Sequence, residues 1–249
     1  MVFMAIPDAV RALERDLRGI FGSRLQSLVI YGQRGSAHDA HGGHGSHGHA
    51  AAPARTLAVV ASMTLDDLRA SARQVERWHD AGLATPLVIG AREFEQSLDA
   101  FPLEFGAILA DHLVVSGDNP FAALTVDPAD VRRACEVQAR SHQLHLREGF
   151  LETRGRADAL AVLIVQSAAA FAALVVSIAR LEGHATDDAG SAARHVERSL
   201  NTPGGGVAEI TKLVGVHDIA SADAERLIGP YLDVTDRLVK YVDGWTRGR

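Results

Sequence analysis

Residues 28–61 read LVIYGQRGS (28–36), AHDAHGGHGSHGHAAAPA (37–54) and RTLAVVA (55–61). An apolar run ends at Gly32, a histidine-rich tract follows, and a second apolar run brings the chain back. Runs this short, rich in β-branched residues and bounded by glycine and proline, read as strands. Leu25 to Tyr31 and Thr56 to Val60 are therefore expected to pair. The tract between them holds His38, His41, His44, His47 and His49 among glycines, alanines and few large apolar side chains. It cannot bury enough surface to offset its ordering entropy, so residues 38–49 are expected to form a loop insertion.

Working outward, Pro7 to Phe21 reads as a helix. Val10, Leu13, Leu17 and Ile20 recur at helical spacing, and Gly22 supplies a stop. After the second strand, Thr64-Leu-Asp-Asp67 has the form of a capping box. It opens a helix whose apolar face would be Leu65, Leu68, Ala72, Val75 and Trp78. Pro86 to Ile89 follows as a short strand and Ala91 to Ala100 as a helix. Leu103 to Leu109 fits strand or helix, and the strand reading is preferred. His112 to Ser116 is a further short strand, and Gly117-Asp-Asn-Pro120 is a turn.

The pattern changes near residues 126–130. Beyond it lie long helical periods over Ala129 to Thr153, Ala157 to Leu181 and Ala222 to Trp245. Shorter ones cover Ser191 to Leu200 and Val207 to Leu213. The expectation is an α+β chain. A small mixed sheet with flanking helices occupies 1–126, and an all-α bundle occupies 127–249.

Composition excludes several classes. Net charge is −6 with pI about 6.0, so no global field favours nucleic acid. The single cysteine, Cys135, rules out an internal disulfide framework and fits a cytoplasmic setting. The N-terminus lacks signal-peptide features. Ala159 to Ala179 is uncharged and long enough to cross a bilayer, but it is alanine-rich and flanked by amphipathic helices. It is read as a buried core helix, with no membrane partner.

The order helix, strand ending in glycine, strand, capped helix, then a helical bundle resembles the nucleotidyltransferase superfamily, which includes kanamycin nucleotidyltransferase and polymerase-beta-like minimal enzymes. The residues carrying the resemblance are Val29-Ile30-Tyr31-Gly32 with Arg34, the strand Thr56 to Val60, Leu65 to Leu68, Phe101 to Phe105, and Leu113 to Gly117. It implies a nucleotide-binding turn at Gly32, Gln33 and Arg34, with magnesium accompanying the nucleotide. In that family the second strand carries Asp-x-Asp, and a later strand gives a third acid.

The departures bear on activity. Gln33 stands where the family has a phosphate-contacting serine, and Ala54-Arg55-Thr56 stands where Asp-x-Asp belongs. Glu104 is the candidate third acid and the one catalytic candidate. Magnesium takes oxygen ligands, mainly carboxylates, and nucleotidyl transfer rests on metal ions bridging phosphate oxygens. Arg55 repels a metal but suits a phosphate. The preferred reading is a catalytically degenerate module that binds nucleotide or phosphate in a regulatory or scaffolding role, with a homodimer through the helical bundle as a partner.

Two alternatives stay open. One is an active enzyme moving a nucleoside monophosphate to a small-molecule or protein acceptor through an unconventional metal site, with Asp39 and His41 as relocated ligands. The other is a transition-metal protein holding nickel or zinc at His38, His41, His44, His47 and His49, since imidazole suits these ions. The preferred reading of that tract is a solvated insertion in a tolerant loop.

Helical domains attached to nucleotidyltransferases can be ribonucleases with an arginine, four to six intervening residues, then a histidine. Arg140 and His145 fit, as do Arg34/His41 and Arg73/His79, which is no more than chance gives in this composition. His142 and His145 are expected on the polar face of their helix. Cys135, among Arg132, Arg133 and Arg140, is expected to pack rather than react.

Overall fold

The computed structural model describes residues 6–32, 53–184, 186, 188–202 and 206–246. The histidine tract, Gln33 and Arg34 lie outside the described residues. Two compact units divide at Val126/Asp127.

In the first unit, helix α1 (Asp8–Phe21) turns at Gly22 into strand β1 (Leu25–Tyr31). Strand β2 (Arg55–Val60) pairs antiparallel to β1, and β4 (His112–Gly117) pairs antiparallel on β1's other side. Strand β3 (Leu87–Gly90) runs parallel to β2, giving a four-stranded mixed sheet in the order β3-β2-β1-β4. Both faces of the central strands are covered, which is why β1 and β2 read as nearly continuous apolar runs. On one face Val10, Leu13, Leu17 and Phe21 of α1 pack with Leu28, Ile30, Ala58, Val60 and Trp78. On the other, Val29, Leu57 and Val59 pack with Phe94, Phe105, Ile108 and Phe121. Phe94 meets Phe105 and Phe121 edge to face at 5.5 and 5.3 Å between ring centroids. Gly117 closes β4 at φ 77°, where a β-carbon would lie 1.9 Å from the Gln26 carbonyl oxygen, so no other residue fits without moving backbone.

Three expectations from the sequence do not hold. Leu103 to Leu109 is not a strand. It lies within helix α5 (Pro102–Ala110), which follows α4 (Ala91–Ser97). Pro102 occupies the first helical turn, where its missing N–H costs nothing. The helix expected from Thr64 through Trp78 is in fact two, α2 (Leu65–Ala72) and α3 (Val75–Asp80). Its expected apolar face is also rotated: Leu65 and Leu68 are exposed, while Asp67 and Ser71 are buried. The cause is an ion pair. Asp67 completes the capping box with Thr64 and accepts both Nη atoms of Arg24, at 2.6 and 2.7 Å. The bidentate geometry holds that carboxylate inward, so the leucines of the same turn face solvent.

In the second unit, α6 (Pro128–Glu152), α7 (Ala157–Leu181) and α10 (Ser221–Asp243) pack against one another. Helices α8 (Ala189–Ser199) and α9 (Val207–Thr211) pack on α7. Asp127 caps α6 through Ala129 N–H, and Pro128 again sits in a first turn. Helix α7 is long and apolar enough to cross a membrane by length and composition. In this fold it buries Leu160, Ile164, Phe171, Leu174, Val175 and Ile178 among its neighbouring helices.

Candidate functional site

At the C-terminal end of β1, the register sets Tyr31 directly opposite Arg55 on β2 and His112 on β4. Opposed residues share a face of the sheet. Arg55, Tyr31 and His112 therefore form a row across three strands, on the side of Val29, Leu57 and Phe105. Gly32 follows at φ 70°, and its N–H donates to the Asp111 carbonyl at 3.0 Å.

The Arg55 guanidinium lies 5.2 Å from the Tyr31 ring centroid, a cation–π contact. Its Nη2 is 2.2 Å from where a β-carbon on residue 32 would stand. Only glycine leaves room for this placement. Arg55 is exposed, and no carboxylate among the described residues forms an ion pair with it. Burial pushes the Tyr31 phenol up, and the Arg55 charge works against that shift.

The sequence placed lost acids at Ala54 and Thr56. In the structure only Arg55 of the three shares the face of Tyr31. Thr56 is opposite Ile30 and turns toward α1, its hydroxyl buried with no hydrogen-bond partner among the described residues. Glu104 stands exposed on α5 rather than on a strand, so its expected setting on the Leu103 to Leu109 strand is corrected. The acid that reaches Gly32 is Asp111, through its backbone. Asp111 and His112 were not singled out in the sequence, because reading Leu103 to Leu109 as a strand hid the helix end that Asp111 caps. His112 Nδ1 lies 3.1 and 3.2 Å from the Leu109 and Ile108 carbonyls, and its Nε2 lies 3.2 Å from Asn119 Oδ1. These contacts tie the start of β4 to the end of α5.

The nucleotidyltransferase resemblance implies magnesium here. The described residues do not fit it. The end of β2 offers Ala54, Arg55 and Thr56, none a carboxylate, and no group of three or more His, Cys, Asp or Glu among the described residues could hold a metal ion. A guanidinium fills the corner instead.

The helical unit holds two polar clusters. In its core, Ser167 Oγ donates to the Ile164 carbonyl at 3.0 Å, and Tyr231 Oη donates to Ser167 at 3.1 Å. His142 Nε2, 2.8 Å from Tyr231 Oη, is left to donate into this chain, which fixes its tautomer. Burial, with His145 second, pushes His142 down to about 4. The polar-face expectation for His142 is thus corrected: its ring packs, tilted, against those of Phe171 and Tyr231. His145 is exposed and pairs with Glu148, while Arg140 pairs with Glu136 and Asp243, so Arg140 and His145 do not converge. Cys135 is fully buried, and burial pushes its thiol up to about 12.

The second cluster joins α7, α8 and α10. The buried Glu182 carboxylate accepts from Tyr241 and from Ser199, and lies 2.8 Å from His195 Nε2. The His184 ring stacks parallel on His195 at 4.4 Å. Each donor comes from a different helix turn, which makes this a structural tie.

No protein-family model matches the sequence, and no curated protein sequence matches it. The fold is similar to the crystal structure of spectinomycin adenyltransferase AAD(9) from Enterococcus faecialis with ATP and spectinomycin. The TM-score is 0.54 at 12% identity, covering 93% of this chain and 98% of that one. At that identity the likeness carries the fold: this chain has a nucleotidyltransferase-like α+β fold with a C-terminal helical region.

Proposed function

We propose that this chain binds a nucleotide at the Gly32 corner and does not transfer it, acting as a regulatory or scaffolding module on a nucleotidyltransferase-like fold. The observation that carries the reading is the exchange at β2. Where the family resemblance calls for metal-binding carboxylates, the chain has Ala54, Arg55 and Thr56, and Arg55 is turned onto Gly32. Nucleotidyl transfer without a metal to neutralise the departing pyrophosphate loses its main source of transition-state stabilisation. Binding needs only positive charge and donors, which the Arg55 guanidinium supplies. The similar adenyltransferase was crystallised with ATP, which supports a nucleotide as the ligand class.

A nucleotide panel read by melting temperature tests this. A binder raises its Tm with a subset of nucleotides and releases no pyrophosphate, since a ligand that binds only the folded state stabilises it. Pyrophosphate release with magnesium would instead support the active-enzyme reading.

The histidine tract favours one second reading. Five imidazoles within residues 38–49 are a dense set of nickel or zinc donors. Calorimetry with each metal, on the parent and on a chain lacking residues 38–49, tests it. Equal heats from the two chains exclude metal capture by the tract.

A further inference from the structure

The corner that resembles a magnesium–nucleotide site carries a cation of its own. Arg55 reaches it from β2, directly across from Tyr31. One contact supports the guanidinium there and two absences permit it. The ring of Tyr31 supports it at 5.2 Å, Gly32 has no β-carbon to exclude it, and no carboxylate among the described residues draws it away in an ion pair. A guanidinium presents N–H donors in a planar fork that matches two phosphate oxygens at once. A divalent cation placed beside it meets like charge, with no pair of carboxylates at the end of β2 to offset the repulsion.

We propose that Arg55 takes the electrostatic place of the metal, so that the Gly32 corner binds a phosphoanhydride chain, as in pyrophosphate or a nucleoside triphosphate, without any divalent cation. This rests on the nucleotide-binding reading above and sharpens it to a metal-free polyphosphate site. Arg55 is the binding residue. Tyr31 and Gly32 are positioning residues, one supporting the guanidinium from its face and the other leaving it space. Magnesium becomes a competitor for the ligand, because it neutralises the phosphate oxygens that Arg55 would contact.

Calorimetric titration of the full chain with ATP and with pyrophosphate, each in EDTA and in excess magnesium, tests the proposal, together with Arg55→Gln and Arg55→Lys. Arg55 is exposed, and melting curves confirm that the variants fold. The expected result is binding in EDTA that is equal to or tighter than in magnesium, weakened at least tenfold by Arg55→Gln and less by Arg55→Lys. Binding that requires magnesium overturns the metal-free site and leaves the nucleotide reading standing. Binding in EDTA that Arg55→Gln does not weaken overturns the role of Arg55 alone. Absence of binding under both conditions overturns the nucleotide reading and this proposal together.

Discussion

Arg55 and Tyr31 face each other across β1 and β2, with the guanidinium carbon 5.2 Å from the ring centroid and Nη2 filling the space beside Gly32. This pairing places a guanidinium at the end of β1 and β2, beside Gly32.

Gly32 is expected to be the most sensitive small residue at this corner. Gly32→Ala must hold a left-handed backbone, costing about 1–2 kcal/mol, and its methyl must displace the Arg55 guanidinium. Urea denaturation should show a loss of that size. Calorimetry should show nucleotide affinity falling with it, even under conditions where the variant remains folded.

Asp67 should make the first unit acid-sensitive. Arg24, then Thr64, hold its carboxyl well below the usual carboxylate range. A group depressed in the folded state stabilises above its unfolded pKa near 4, and that contribution is lost as pH falls further. Melting curves from pH 5 to pH 2 should therefore fall more steeply for the parent than for Asp67→Asn. Parallel curves would show that the Arg24–Asp67 pair carries no pH-dependent stability.

His142 should act in a different window. Burial lowers it to about 4 from an ordinary value of 6.5, so the unfolded chain takes up its proton first. Stability from neutral His142 is complete above pH 6.5 and is lost as pH falls toward 4, by at most about 3 kcal/mol. His142→Gln should flatten stability between pH 6.5 and 4 while leaving the steeper decline below pH 4 in place. Denaturant midpoints measured at half-unit intervals resolve the two.

Cys135 should be inert in the folded protein. Its side chain is fully buried, and its thiol is pushed up to about 12. A thiol-reactive chromogen at pH 8 should report no reaction in buffer and one equivalent in denaturant, since the thiolate is the reacting species. Rapid labelling without denaturant would show that α6 opens locally.

The α+β architecture was legible because its signals are local. Glycine punctuation around β1, the capping box at Thr64 and the long helical periods after Pro128 each follow from nearest neighbours in sequence. The misread parts depended on partners far along the chain. Leu103 to Leu109 is apolar throughout, so periodicity could not separate strand from helix, and that ambiguity concealed Asp111 and His112. The rotation of α2 follows from Arg24, forty-three residues before Asp67. His142 reads as a polar-face residue until Tyr231 and Ser167 are brought to it. At the site, the exchange of acids for Ala54-Arg55-Thr56 was readable from the sequence. That Arg55 alone of the three turns toward Gly32 required the strand register.

The chain is expected to bind ATP without transferring it. The most direct measurement is equilibrium dialysis with labelled ATP, followed by chromatography of all the nucleotide recovered. Saturable binding with the ATP recovered intact, with and without magnesium, is the predicted result. Release of pyrophosphate, label fixed to an acceptor, or no retention of ATP at all would contradict it.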